Sequence, residues 1–222
     1  MINEFTADGG RQTYYGVYPA IVTDLVDPDG IGRIEVRFPW LGNDGDSDVR
    51  AWATLVSPYA DDNQGFQVLP EVDSQVVVAF EAGNLRRPYI VGACWNGQEA
   101  LPTDAEAANN IRVIKTRSES ILEFDDTEGA SKITLEMKNG HKLVLDESAS
   151  TVTLSHANGH VINFTAGGAI EIQANSTVEL TASAFNVHAP VANFDGIINC
   201  TTMIASVGVV SPMYTPGLGN IW

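Results

Sequence analysis

Gly32-Arg33-Ile34-Glu35-Val36-Arg37-Phe38-Pro39-Trp40 is the stretch on which the fold turns. Ile34, Val36 and Phe38 alternate with Arg33, Glu35 and Arg37, the period-two pattern of a strand with one buried face and one wet face. Just before it, Asp27-Pro28-Asp29-Gly30-Ile31-Gly32 is a turn-forming cluster. Val17 to Leu25 makes a strand-like run ahead of that turn, and Ala51–Val56, Gly65–Leu69, Gln75–Glu81 and Pro88–Ala93 follow it, separated by Gly-, Pro- and Asp-rich turns. No segment shows a helical period with caps.

Five or six short strands in about 80 residues predict a compact Greek-key barrel of the OB-fold kind over residues 15–98, preceded by an N-terminal arm, 1–14. An OB-fold by itself suggests oligonucleotide binding. The charge opposes that: 12 Lys and Arg stand against 28 Asp and Glu, a net charge of −16, where phosphate binding needs a basic face.

The barrel runs also carry a family resemblance. Gly32-Arg-Ile-Glu-Val-Arg-Phe-Pro-Trp40, Ala51-Trp-Ala53, Gly65-Phe-Gln-Val-Leu-Pro-Glu-Val72, Val78-Ala-Phe-Glu-Ala-Gly83 and Arg87-Pro-Tyr-Ile-Val-Gly-Ala-Cys-Trp-Asn-Gly97 follow in order. They resemble the OB-fold domain of contractile-injection spikes, the phage baseplate assembly protein V and VgrG-like family. The resemblance implies a non-enzymatic, trimeric central spike that bridges a hub to a tip and punctures a target envelope. It would be made in the cytoplasm and assembled into an injection particle. VgrG chains carry a large hub domain ahead of the barrel; only about 15 residues precede it here, so a separate hub protein, with the tube and baseplate, is the expected partner at the barrel end.

Beyond a polar linker, 99–110, the pattern changes. Apolar pairs at i and i+2 recur at Ile133/Leu135, Leu143/Leu145, Val152/Leu154, Ile162/Phe164, Ile170/Ile172, Val178/Leu180 and Phe185/Val187, with Asn139-Gly140, Asn158-Gly159 and Gly167-Gly168 as punctuation. A near-period with turns between is the mark of stacked β architecture. Each strand offers about two apolar side chains, too few for a core of its own. An ordinary antiparallel sheet and a single-chain solenoid are alternatives; the reading favoured is an intertwined trimeric β-helix or β-prism over residues 111–210, its core built from the fourteen residues just named, about ten layers and on the order of 50 Å long.

All basic residues lie at or before Lys142, and the last 80 residues hold five acids, Asp146, Glu147, Glu171, Glu179 and Asp195. A shaft that must cross a bilayer benefits from few charges, because each is costly to desolvate; the C-terminus is therefore expected to lead. The final segment, 211–222, ends on Met213, Tyr214, Leu218, Ile221 and Trp222. Three copies would make a blunt apolar end, and the resemblance implies a PAAR-type tip protein as its cap, with effector cargo a further possible passenger.

Catalytic and metal motifs are absent from the sequence: there is no HExxH, GxSxG, P-loop or GxGxxG. Asp44-Gly-Asp-Ser-Asp48 begins like a calcium loop, but its sixth position is Val49 and its twelfth Leu55, so it reads as a solvated acidic hairpin. His156 and His160 flank an Asn-Gly turn without a completing carboxylate or Cys and read as polar turn residues. Related spikes hold a tip iron through His-x-His; here His188 is followed by Ala189-Pro190, so no cofactor is expected. Cys94 and Cys200 fit no metal or redox spacing, and the N-terminus lacks the basic start and apolar run of a signal peptide. The alternative function is a β-helical receptor- or carbohydrate-binding tail protein.

Overall fold

In the computed structural model the described residues are 13–44 and 47–211. Their regular structure is strands between Val17 and Gln173, with two single-turn 3-10 segments, Pro39–Leu41 and Glu81–Gly83. The chain divides into two compact units, the boundary falling between Asn175 and Ser176.

Five strands close the barrel: β1 (Val17–Asp24), β2 (Arg33–Arg37), β5 (Arg50–Leu55), β8 (Gln75–Phe80) and β9 (Pro88–Ala93), in the order β1-β2-β5-β9-β8. Two-residue ribbons decorate it, β3 (Asn43–Asp44) with β4 (Ser47–Asp48) and β6 (Ala60–Asp61) with β7 (Gln64–Gly65). Neighbours run antiparallel except at the seam, where β5 and β9 pair in parallel through Thr54↔Tyr89 and Leu55↔Ile90. The alternation in β2 does what its period requires: Ile34 and Val36 point inward and are fully buried beside Ala20, Val22, Phe38, Ala53, Val76, Val78, Phe80 and Ile90. One end is closed by an aromatic cluster in which Tyr18 stacks on Trp40 at 4.6 Å and Tyr14 meets Trp40 edge-on at 5.3 Å.

The turn between β1 and β2 is locked by Asp27. Its carboxylate accepts from the Arg33 amide (3.0 Å), Arg33 Nε (3.0 Å), Arg33 Nη2 (2.8 Å) and the Asp29 amide (3.0 Å). The Arg33 guanidinium, first, and these amides hold the carboxyl well below the usual range. The expected strand Gly65–Leu69 is a correction: only Gly65 pairs, in the β6–β7 ribbon, and residues 66–70 are extended loop. Ser57 Oγ donates to the Phe66 carbonyl at 2.7 Å, so a group that a strand would spend on a neighbour is satisfied locally.

The second architecture in this unit is a single seven-stranded antiparallel meander: β10 (Ile111–Lys115), β11 (Ile121–Asp125), β12 (Lys132–Glu136), β13 (Lys142–Asp146), β14 (Thr151–Ser155), β15 (Val161–Phe164) and β16 (Ile170–Gln173). Within the chain this sheet is the ordinary antiparallel kind. Four of its hairpins repeat one turn, each closed by a first-to-fifth backbone bond of 2.9 Å: Thr116–Ser120, with Glu119 at φ +62°, and the three glycine turns Met137–His141, His156–His160 and Thr165–Ala169. In the glycine turns the fourth position is Gly140, Gly159 or Gly168 at φ near +90°, which is why Asn-Gly and Gly-Gly recur there.

The second unit, described by itself over residues 176–211, forms no strand and bends at 176, 183, 190, 195–196, 201 and 206–207. The apolar pairs Val178/Leu180 and Phe185/Val187 lie here, exposed, and not on strands of the meander.

Candidate assembly surface

The meander register sorts its side chains into two faces. One face carries two straight cross-strand columns. The first is Ile114, Leu122, Leu135, Leu143, Leu154, Ile162, Ile172; the second is Arg112, Phe124, Ile133, Leu145, Val152, Phe164, Ile170. Thirteen of the fourteen are apolar. They are wet: Leu135 and Leu154 are each 51% exposed and Ile172 is 62% exposed. Among the described residues of this unit no second layer covers them. A continuous apolar face of this length is what monomers rarely leave bare.

The ten expected core residues from Ile133 to Ile172 all fall on this face. The columns also include Ile114, Leu122 and Phe124, which the dyad search passed over; the i, i+2 spacing of Leu122 and Phe124 was the available signal. The other four expected core residues, Val178, Leu180, Phe185 and Val187, belong to the second unit and are not brought into this ladder.

The opposite face is mixed, with polar groups paired across the strands beside Ile111, Val113, Ile121, Val144 and Val161. Thr153 Oγ1 donates to Asn163 Oδ1 at 3.0 Å and Asn163 Nδ2 donates to Glu171 at 3.3 Å. Lys132 pairs with Asp146 across the strands at 3.0 Å, and Lys142 with Glu136 at 3.0 Å. Asp146 is pulled down to about 2 by the Ala149 amide, the Ser148 hydroxyl and Lys132.

The barrel surface that would serve oligonucleotide binding in an OB-fold is the outer side of β2 and β5, with Arg33, Arg37, Arg50 and Trp52. Two of its three cations are already paired: Arg33 with Asp27 and Asp29, Arg50 with Glu35 at 3.4 Å and Asp48 at 3.5 Å. The surface is thus not a basic strip awaiting phosphates.

Among the described residues no group of three or more His, Cys, Asp or Glu is placed to hold a metal ion. His156 lies 4.2 Å from His141 and 5.4 Å from His160, ring to ring. Their Nδ1 atoms accept backbone N–H groups from Ala157 (His141, 3.3 Å), Asn158 (His156, 3.1 Å) and Asn175 (His160, 3.2 Å), so those lone pairs face the chain. Sequence reasoning missed His141 because its partners come from the next hairpin. Desolvation, then His141 and His160, lowers the pKa of His156. His188 is exposed in the second unit. Met213, Tyr214, Leu218, Ile221 and Trp222 lie outside the described residues.

Comparison with known proteins places this geometry. Residues 18–95, the closed barrel, match the family described as the type VI secretion system/phage-baseplate injector OB domain. The chain is 24% identical over 131 residues to the type VI secretion system spike protein VgrG1a of Pseudomonas aeruginosa, covering 55% of this chain and 20% of that protein. It is 25% identical over 113 residues to spike protein VgrG3 of Vibrio cholerae, covering 48% of this chain and 11% of the relative. A protein named actin cross-linking toxin VgrG1, also from Vibrio cholerae, matches at 25% over 130 residues, 53% of this chain and 12% of that protein. The chain spans a fifth or less of the length of these curated relatives.

A closed five-stranded barrel with this match is an injector OB domain. Beyond that domain, the chain is similar to the VgrG spike proteins over about half its length.

Proposed function

We propose that the protein is the central spike of a contractile injection machine, and that three copies bring their apolar faces together around one axis. The observation that carries this is the exposed two-column ladder. At about 25 cal/mol per Å2, a bare apolar face on seven strands is a large driving force for association. In a triangular prism each copy supplies one wall, and every layer of columns becomes a shared core. Seven strands about 4.8 Å apart make that wall about 30 Å tall.

Residues 176–211 extend the reading. Among the described residues they join no strand of their own chain, and backbone N–H and C=O groups need partners. Copies wound about one another supply them, and Val178, Leu180, Phe185 and Val187 then join the axis. On this reading residues 15–98 are the base, 99–110 the linker, 111–210 the shaft and 211–222 the tip.

The role is mechanical rather than enzymatic. The barrels hold the spike to a hub, tube and baseplate, the low-charge end leads, and a prism without open strand edges transmits thrust to the target envelope. Met213, Tyr214, Leu218, Ile221 and Trp222 form the seat for a PAAR-type tip protein, through which effector cargo could ride. A receptor- or carbohydrate-binding tail protein would instead present a groove of aromatics and paired carboxylates; the outer wall presents threonines, Asn163 and paired ions beside the aliphatic Ile111, Val113, Ile121, Val144 and Val161.

Light scattering on the full chain tests the core of this. The expected mass is about three times the 23.8 kDa of one chain; a monomer sinks the spike reading. Removing residues 211–222 is expected to abolish co-purification with a PAAR-type partner and leave the trimer intact. Partner binding that survives the truncation would rule out the capping role.

A further inference from the structure

The hairpins of the meander alternate between its two sides, and the two sides differ in charge. On one side lie the turns between β10 and β11, β12 and β13, and β14 and β15. With the adjoining strand ends they carry Lys115, Arg117, Glu119, Glu136, Lys138, His141, Lys142, His156 and His160. On the other lie the turns between β11 and β12, β13 and β14, and β15 and β16. That side carries Arg112, Asp125, Asp126, Glu128, Lys132, Asp146 and Glu147. The first side has a surplus of two positive charges beside three imidazoles; the second has a surplus of three negative charges.

Ion pairs inside the wall leave that asymmetry standing. Lys138 pairs with Glu119 at 2.8 Å and Lys142 with Glu136 at 3.0 Å; Arg112 pairs with Asp126 at 2.9 Å and Lys132 with Asp146 at 3.0 Å. Asp125, Glu128 and Glu147 remain on the acidic side outside these ion pairs and Lys115 on the other, where Arg117 is paired instead with Glu71 of the barrel at 3.0 Å. Asp125 is held ionised by the Thr127 hydroxyl, bonded at 2.6 Å, and by the Thr127 amide at 3.0 Å. The imidazoles add to the match. Because the Nδ1 atoms of His141, His156 and His160 accept backbone amides, each neutral ring carries its proton on Nε2. The histidine side is therefore a row of donors as well as cations, and the far side a row of acceptors.

We propose that the trimer closes head to tail, with the basic, histidine-bearing side of each wall seated against the acidic side of the next copy. The proposal rests on the trimeric reading above and specifies what that reading leaves open, namely which surfaces meet at the corners. A heterologous contact closes into a ring when its rotation fits, and three identical walls with their apolar faces inward must meet side to side. In a threefold ring each side necessarily meets the opposite side of the next copy, and the charge difference makes that corner contact complementary. The asymmetry selects a second copy of this chain over a foreign partner because both halves of the match lie on one wall, along the strands that carry the apolar columns.

Zero-length carbodiimide cross-linking of the full chain tests this, since it joins a Lys amine to a carboxylate only where they touch. A strand of five residues is about 17 Å long, so the two sides of one wall are out of reach of each other. The expected products are covalent dimers and trimers in which Lys115, Lys138 or Lys142 is joined to Asp126, Glu128 or Glu147. A trimer by mass whose links never join the two sides overturns head-to-tail closure. A monomer by mass, with no links between chains, refutes the trimer reading instead.

A charge swap gives the second arm. Lys115→Glu with Ser118→Glu, or Glu128→Lys with Glu147→Lys, is expected to speed subunit exchange about tenfold at low salt, with the effect shrinking as salt screens it. All four changes together are expected to restore exchange to within about threefold of wild type. A four-fold variant that exchanges as fast as the worse of its parents overturns the proposal.

Discussion

The barrel and the meander solve the same problem in opposite ways. In the barrel, β2 alternates and the chain itself returns to cover the apolar face, so Ile34, Val36, Phe38, Val76 and Val78 are sealed. In the meander, β12 alternates just as cleanly, yet Ile133 and Leu135 remain at the surface. The difference is connectivity. Short hairpins lay each strand beside its predecessor in a flat wall, whereas the barrel's parallel β5–β9 seam closes the sheet on itself. A closed sheet completes its core within one chain; an open wall defers its core to other copies.

That contrast breaks most visibly under charge. Leu135→Asp combined with Leu154→Asp places two carboxylates from each copy on the shared axis, and burying unpaired ions is prohibitive. The expected outcome is complete loss of the trimer by light scattering, while near-ultraviolet signals of the Tyr18–Trp40 pair report an intact barrel. An unchanged mass would mean that this face is not the core. The same substitutions on the opposite face, at Thr134 and Thr153, are expected to leave the mass unchanged.

Truncation of apolar side chains sharpens the contrast further. Phe38→Ala empties a sealed site and is expected to cost the barrel about 3–5 kcal/mol, independent of protein concentration. Leu143→Ala is expected to cost about 2–5 kcal/mol per copy, but as a loss that deepens on dilution, because a core shared among copies follows mass action. Thermal melts across a hundredfold range of concentration separate the two. A concentration-independent Leu143→Ala melt would make the wall a self-sufficient sheet.

Much of this was legible in the residues, and what was not has physical reasons. Alternation at Ile34/Val36/Phe38 and the Asp27–Gly32 turn announced the barrel strands, because a half-buried strand writes its period into the sequence. The parallel seam was not legible, since two residue pairs leave no periodic trace. Gly65–Leu69 looked like a strand, but its backbone pairing stops at Phe66, whose amide bonds the Tyr59 carbonyl and whose own carbonyl takes the hydroxyl of Ser57. In the wall, the dyads marked which side chains share a face and the Asn-Gly turns marked the hairpins. The same dyad pattern at Val178/Leu180 and Phe185/Val187 yields no strand within the chain, because spacing reports a face and not the partner that covers it. The charge difference between the two sides was invisible until the register assigned each turn to a side.

The smallest expected effects come from protons, and they fall on the wall at both ends of the pH scale. Asp146 titrates at about 2 in the folded wall against an ordinary 3.8. A depressed carboxylate contributes stability that is fully present above its unfolded value and is lost as pH falls from there toward the folded one. The wall should therefore weaken between about pH 4 and 2, and Asp146→Asn should flatten that limb. His156 is also depressed, by desolvation and by its two neighbouring rings, but for a base the favoured form is neutral. The unfolded chain binds the proton more readily, so stability is full above about 6.5 and declines as pH drops below it. Protonation also removes the Nδ1 acceptor used by the Asn158 amide. Hydrogen exchange, corrected for its intrinsic pH dependence, is expected to show the Asn158 amide losing protection between pH 7.5 and 5.5. The Thr165 amide, in the same type of turn on the acidic side, is expected to hold steady, and His156→Gln should abolish the difference. Equal loss at both turns would mean that the wall loosens as a whole and that the imidazole row has no part in it.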